Sequence, residues 1–225
     1  MFAGISQEEF EASLRGRTNV WVRAARVLDA ARWSETWRPS LAERQRYDAE
    51  YPWEHELRES ASSASWHAIA IERRAPTESL EAMMSVRIGE VSRRPGHRSD
   101  PVVFIEHLGI APWNQAFPAE PEHGLPATGG ELRGLGRLCL IAAIDMSRDL
   151  GFGGRVALVS EKEPRTIRFY VRAGMKQVPD VLEAVTEDPE NALEPFPWYE
   201  FDEVDAADYE RREMMVMLGQ TEGGV

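Results

Sequence analysis

The chain has 225 residues with a formal net charge of −12, 43% hydrophobic and 28% charged residues, and a single cysteine. That length buries enough apolar surface for one α/β domain to fold without metal or disulfide, and one cysteine excludes an internal disulfide. The acidic balance argues against a nucleic-acid partner, whose phosphates need a basic patch. No apolar stretch reaches the ~20 residues of a membrane helix, and the start of the chain lacks the basic and apolar regions of a signal peptide, so a cytoplasmic protein with no membrane partner is expected.

In chain order, residues 1–60 read as a mostly helical N-terminal part. Ser6 is placed as a helix N-cap with Glu9 three residues on, which predicts a helix through Gln7–Leu14. Thr18 to Arg26 fits a strand, by the alternation of Val20, Val22 and Ala24. It also fits a helix, by Val20, Ala24, Val27 and Leu28. Trp33 and Trp37, four apart, share one helical face and read as core. Trp66–Glu72 and Ser79–Ile88 read as strands of a hairpin, and Pro101–Ile110 as a third strand after the Arg93–Arg98 turn. Residues 111–131 form a long Pro- and Gly-rich loop insertion, read as either a lid or a disordered segment.

Leu132 to Leu150 is the strongest helix, apolar nearly all round and therefore buried, with Gly151 as its stop. Cys139 lies within its apolar run and reads as a buried small hydrophobe. Arg155–Ser160 reads as a strand, Pro164–Arg172 as a short helix ending at Gly174, and Met175–Val178 as another strand. An acidic loop over 185–210 precedes a closing strand at Arg212–Leu218.

The chemistry concentrates around Gly134-Leu135-Gly136, where two glycines flank the start of the buried helix. Glycine lets a ligand approach the backbone, and the first amides of a helix, with its dipole, favour an anion such as a diphosphate. The segment lacks the third glycine of a dinucleotide fingerprint and the Gly-Lys-Ser/Thr of a P-loop. His55, His67, His97 and His123 are scattered without metal-ligand spacing, so no metal is expected.

Three stretches in this order resemble the GNAT N-acetyltransferase superfamily. Glu106-His107-Leu108-Gly109-Ile110-Ala111-Pro112 resembles its fourth strand, E-x-L-x-V-x-P. Glu131-Leu132-Arg133-Gly134-Leu135-Gly136 resembles its pyrophosphate loop, R/Q-x-x-G-x-G/A. Glu163 to Met175 resembles N-x-x-A-x-x-F-Y-x-x-x-G-F. The resemblance implies a single domain over 1–225: a mixed central sheet with flanking helices and a V-shaped opening between the fourth and fifth strands, here Val102–Ile110 and Arg155–Ser160. It implies acetyl-CoA as co-substrate. Pantetheine would pair with the backbone around Leu108 and Ile110 like an added strand. The amides of Leu135, Gly136 and Arg137 would cradle the diphosphate beside Gly134. Arg133 and Arg137 would add charge-assisted contacts, and Arg165 and Phe169 complete the cofactor-binding set.

The family's tyrosine after phenylalanine protonates the departing sulfur, and Tyr170 matches it; a phenol with pKa ≈ 10 remains protonated at neutral pH. Glu106 is the candidate base, directly or through water, with solvent as the alternative; a base there would need a raised pKa. Strand alternation puts His107 on the opposite face, which ranks it below Glu106. The departures are Glu131 in place of arginine or glutamine, Glu163 in place of asparagine, Thr166 in place of alanine, and the length of the 111–131 loop.

These features predict an acetyl-CoA-dependent N-acetyltransferase acting on a primary amine of a small molecule or protein by direct transfer. The alternatives are a non-catalytic CoA-binding module on the same fold and a transferase using another acyl-CoA. The acidic residues from Glu187 to Glu210, among them Glu194, Glu200, Asp202, Glu203, Asp205 and Asp208, would attract a cationic amine, or would serve only as a solvated loop. The acceptor and the oligomeric state, a dimer included, stay open.

Overall fold

The computed structural model describes residues 10–14, 18–74, 77–121, 124–127, 130–179 and 196–217. The Ser6 cap, Glu187–Glu194 of the acidic stretch, His123 and the last residue of the expected closing strand, Leu218, lie outside them. The chain divides into two compact units. The first comprises 1–86, 107–140 and 214–225, and the second 87–106 and 141–213.

In the first unit a hairpin of β1 (Phe10–Leu14) and β2 (Thr18–Ala24) leads into three short helices, α1 (Val27–Thr36), α2 (Arg38–Glu43) and α3 (Trp53–Ser62), and then β3 (Trp66–Arg73). β4 (Ser79–Val91) and β5 (Pro101–Ile110) each run through both units. The sheet order here is β1-β2-β3-β4-β5. Its core gathers Trp33, Trp37, Leu41, Trp53 and Leu57 from the helices with Ala68, Ala70, Leu80 and Met83 from the strands. Trp33 and Trp37 are thus core, as their spacing implies, and Gly109 on β5 leaves room for the rings: a Cβ there would sit 3.2 Å from Trp53 and 3.6 Å from Trp37.

In the second unit the order is β4-β5-β6-β8-β7. β6 (Val156–Val159) runs parallel to β5, in the register Val103↔Val156 to Ile105↔Leu158, and antiparallel to β8 (Trp198–Phe201) on its other side. The β5–β6 ladder ends at Ile105↔Leu158, while β5 continues to Ile110. β5 is buried over Val102–Ile105 without alternation, as a strand covered on both faces must be. α4 (Leu135–Asp149), α5 (Pro164–Ala173), β7 (Lys176–Val178) and α6 (Glu203–Met217) complete the chain. Gly151 and Gly174 end α4 and α5 at φ of 78° and 98°, the left-handed conformation that a helix stop needs. This is the mixed sheet with flanking helices implied by the three motifs. Among the described residues no helix is long and apolar enough to cross a membrane, and no group of three or more His, Cys, Asp or Glu is placed to hold a metal.

Three expectations change, and one open alternative closes. Phe10–Leu14 is a strand, not a helix: its Phe, Ala and Leu alternate, and pairing with β2 decides between two weak local preferences. The 18–26 ambiguity resolves to a strand over Thr18–Ala24. Over its described residues, 212–217, the expected closing strand is instead the C-terminal part of α6, and the described end of the acidic loop folds as β8 and the rest of α6. Asp202 starts α6, its Oδ1 accepting from the Asp205 amide at 2.8 Å, and Ala206 and Tyr209 form its buried face.

Candidate active site

The first unit carries the start of α4. Gly134 has φ of 99° and precedes Leu135, the first helical residue, so the two glycines of the motif flank the helix start as expected. The first helical hydrogen bond runs from the Leu138 amide to the Gly134 carbonyl at 3.0 Å, which leaves the Leu135 and Gly136 amides ahead of the intrahelical ladder. Arg133 is exposed, and Gly136 and Arg137 are half-buried.

What sets this turn in place is a buried carboxylate. Glu81 on β4 is 0% exposed and accepts from Trp113 Nε1 at 2.8 Å, Asn114 Nδ2 at 2.5 Å and Ser79 Oγ at 2.5 Å, with Arg73 Nε at 3.0 Å. Asn114 in turn accepts the Leu132 amide at 2.9 Å, and the Glu131 amide donates to the Trp113 carbonyl at 3.0 Å. Both ends of the long loop are therefore clasped to one strand residue. Glu131, the acid that stands where the family has a cation or amide, is answered by Arg73 at 3.5 Å.

On the end of β5, Leu108 and Ile110 are half-buried, and the Ile110 carbonyl accepts from Gln115 Nε2 at 2.7 Å, so the loop already uses one backbone acceptor of that edge. Between Glu106 and Leu108, His107 turns into the helical layer. Its Nδ1 is hydrogen-bonded to Glu56 Oε1 of α3, and Glu56 Oε2 accepts from Ser85 Oγ at 2.6 Å. Tyr51 and Trp53 pack on the imidazole at centroid distances of 4.4 and 6.1 Å. The sequence names His107 but does not connect it to Glu56, which lies fifty-one positions away on another element.

In the second unit Glu106 is half-buried, with its Oε2 3.3 Å from Arg87 Nη2, a guanidinium that is shared with Glu90 at 3.2 Å and lies over Phe104. Tyr170 on α5 is 7% exposed, with Phe169 edge-on at 5.1 Å and Tyr199 at 5.9 Å, while Arg165 is exposed on the first turn. Two departures from the motif explain each other here. Glu163 is the N-cap of α5 and its Oε2 accepts from both the amide and the hydroxyl of Thr166, at 3.1 and 2.8 Å. A carboxylate cap and a threonine three residues on together hold the start of α5. Cys139 is fully enclosed, and burial pushes its thiol up to about 12, so it stays protonated and unreactive.

Of the described acids of the 196–210 stretch, Glu200, Asp202, Glu203 and Asp205 are engaged within the fold, while Asp208 is exposed and faces Arg211 of the same helix. Glu200 is buried in β8 and accepts from Ser92 Oγ, the Arg93 amide and Trp198 Nε1, each at 2.6 Å. Asp202 and Asp205 both face Arg94, and Glu203 faces Arg155. Their charge ties the turn after β4 and the residue before β6 to β8 and α6, and this part of the stretch is not a solvated loop.

No protein-family model and no curated protein sequence matches the chain. Solved structures do. The GNAT domain of S. lividans PAT superposes with a TM-score of 0.54 at 16% identity, over 86% of this chain and 96% of that one. Apo FdhC, described as a nucleotide-linked sugar GNAT, gives 0.53 at 9% identity over 88% and 94%. A spermidine N-acetyltransferase SpeG chimera from Vibrio cholerae and hSSAT gives 0.50 at 14% identity over 86% and 99%. At these identities the likeness is one of backbone architecture, and with the sheet order above it establishes that the chain has the GNAT fold.

Proposed function

We propose that the protein is an acetyl-CoA-dependent N-acetyltransferase that moves an acetyl group directly onto a primary amine. The observation that carries this reading is the left-handed Gly134 immediately before the first turn of α4, clasped through Asn114 to Glu81. A fixed turn that presents helix-start amides, with Gly136 on the first turn and Arg133 and Arg137 alongside, suits a diphosphate. In the reaction the neutral amine nitrogen forms a bond to the thioester carbonyl carbon and sheds a proton to solvent, the C–S bond breaks with its electron pair on sulfur, and the Tyr170 hydroxyl supplies the proton that sulfur takes and is reprotonated by solvent. The motif offers Glu106 as a candidate for the base, with solvent as its alternative.

The test is cofactor binding followed by turnover. Acetyl-CoA at about a hundred times its Kd stabilises a folded state by about 2.7 kcal/mol, which for a chain of this size raises Tm by roughly 5–10 °C. Gly136→Asp, which sets a side chain and a like charge against the diphosphate, abolishes the shift. Tyr170→Phe keeps the shift and loses about 10²–10⁴-fold in turnover with an active amine. An unchanged shift in Gly136→Asp removes the helix start as the phosphate site. Binding without transfer to any of a broad set of amines would make the protein a CoA-binding module instead.

A further inference from the structure

Glu56 is the feature of this fold that neither packing nor the cofactor motifs account for. It is 1% exposed, at a helix position facing the sheet, where an apolar residue would pack at lower cost. Both of its oxygens are used, one by Ser85 Oγ at 2.6 Å and the other by His107 Nδ1. The carboxylate is thus fixed from one side and aimed at an imidazole from the other. Hydrogen bonding to a carboxylate places the imidazole proton on Nδ1 and leaves the lone pair on Nε2. His107 is not sealed in: its side chain is 19% exposed, against 2% for Glu56. The groups that pack on the ring are Tyr51, which precedes α3, and Trp53 on α3, with Glu56 and, behind it, Ser85 of β4.

We infer that His107 is the proton acceptor for the amine substrate and that Glu56, held by Ser85, is the residue that positions it. This rests on the acetyltransferase reading given above. Nε2 takes a proton from the substrate ammonium, and the imidazole becomes imidazolium. The nitrogen lone pair so released forms the C–N bond to the acyl carbon, and the nitrogen gives its second proton to solvent; the C–S pair departs on sulfur, which takes a proton from the Tyr170 hydroxyl, and solvent reprotonates Tyr170 and receives the proton of the imidazolium. Glu56 stabilises the imidazolium by lying against Nδ1–H throughout, and Ser85 keeps the carboxylate from rotating away. Glu106 is less suited to this task, because its carboxylate faces the Arg87 guanidinium at 3.3 Å.

Two measurements test this. The first needs no variant. In ¹⁵N spectra of the neutral imidazole, His107 shows the Nδ1–H tautomer, and Glu56→Gln shifts the tautomer balance; a dominant Nε2–H tautomer in the wild-type protein overturns the proposal. The second uses acetyl-CoA with spermidine, an aminosugar and a lysine-containing peptide as acceptors. With whichever amine is acetylated, His107→Gln lowers kcat by about 10²–10⁴-fold near neutral pH. The acid limb of the pH–rate profile is lost, and the deficit shrinks as rising pH supplies neutral amine. The acetyl-CoA shift in Tm is retained, which shows that the variant folds and binds donor. Glu56→Gln gives a smaller loss of kcat with the same donor affinity. Turnover within a few-fold of wild type in His107→Gln, with the acid limb intact, overturns the assignment and leaves the transferase reading standing. A wild-type protein that neither binds acetyl-CoA nor acetylates any acceptor overturns both.

Discussion

At the scale of single residues, carboxylates with opposite pH behaviour sit in different parts of the fold. Asp29 is 2% exposed and Glu72 6%. Burial alone would raise their pKa, but the Arg23 guanidinium, bidentate on Asp29 at 2.7 and 2.8 Å and 2.9 Å from Glu72, outweighs it together with the Arg26 amide and Arg74, and both titrate below their ordinary values. Their stabilisation is present above pH ~4 and is lost as the pH falls through the depressed values. Asp145 on α4 goes the other way: partial burial first and the Glu210 carboxylate second push it up to about 6. The folded state then binds more protons than the unfolded one between pH ~4 and ~6, so this group makes the protein less stable as the pH rises through that window. Its side chain is 58% exposed, and solvent screening keeps the effect small. Asp145→Asn is expected to raise the urea midpoint above pH ~6 and to leave it unchanged below pH ~4, measured on both proteins across pH 3–8. Pairings of this kind are where sequence reading stops. Arg23, Asp29 and Glu72, like Glu56 and His107, are brought together by the packing of helices on strands, and no spacing in the chain announces them.

At the scale of elements, the local signals that carry their own physics were readable. β3, β4, β5, α4, β6, α5 and β7 follow from alternation, an all-round apolar helix and glycine stops, each with ends within a few residues. β1, β8 and α6 were not. Phe10–Leu14 is too short for its period to decide between strand and helix without its partner. The Asp202-Glu203-Val204-Asp205 cap that opens α6 was present but was read as part of a uniformly acidic run. The loop over 111–131 shows a different gap between pattern and packing. Its lack of periodicity is real, yet Ala111, Asn114, Phe117 and Leu132 are buried and Glu81 clasps both of its ends. Gly130 marks the tightest point, where a Cβ would meet the Asn114 carbonyl oxygen at 2.6 Å, a backbone atom that cannot swing aside. Gly130→Ala is expected to cost about 1–3 kcal/mol and to speed amide exchange at Asn114, Glu131 and Leu132. Because these residues carry the start of α4, acetyl-CoA affinity should fall in the same variant. Unchanged exchange would show that the loop does not depend on this contact.

At the scale of the whole molecule, the boundary between the two units falls inside four elements: β4, β5, α4 and α6. No unit is a contiguous stretch of chain, and opening one breaks hydrogen-bonded elements that continue into the other, so one cooperative transition is expected. The tryptophans make this measurable. Trp21, Trp33, Trp37, Trp53, Trp66 and Trp113 belong to the first unit and Trp198 to the second. Fluorescence therefore follows mainly one unit and far-UV circular dichroism follows both. Coincident urea curves are the expected result, and separated midpoints would show that the units unfold independently. The edge of the sheet carries one further consequence. Val178 stands directly opposite Trp198 in the antiparallel β7–β8 ladder, so a two-residue turn would be long enough to join the strands. The connection from Val178 to Trp198 is longer than that distance requires, and shortening it or inserting a foreign peptide into it is expected to leave the β7–β8 ladder in place, which far-UV circular dichroism would check. An engineer wanting to hang a fluorophore or an affinity handle on this chain has a socket at the β7–β8 connection.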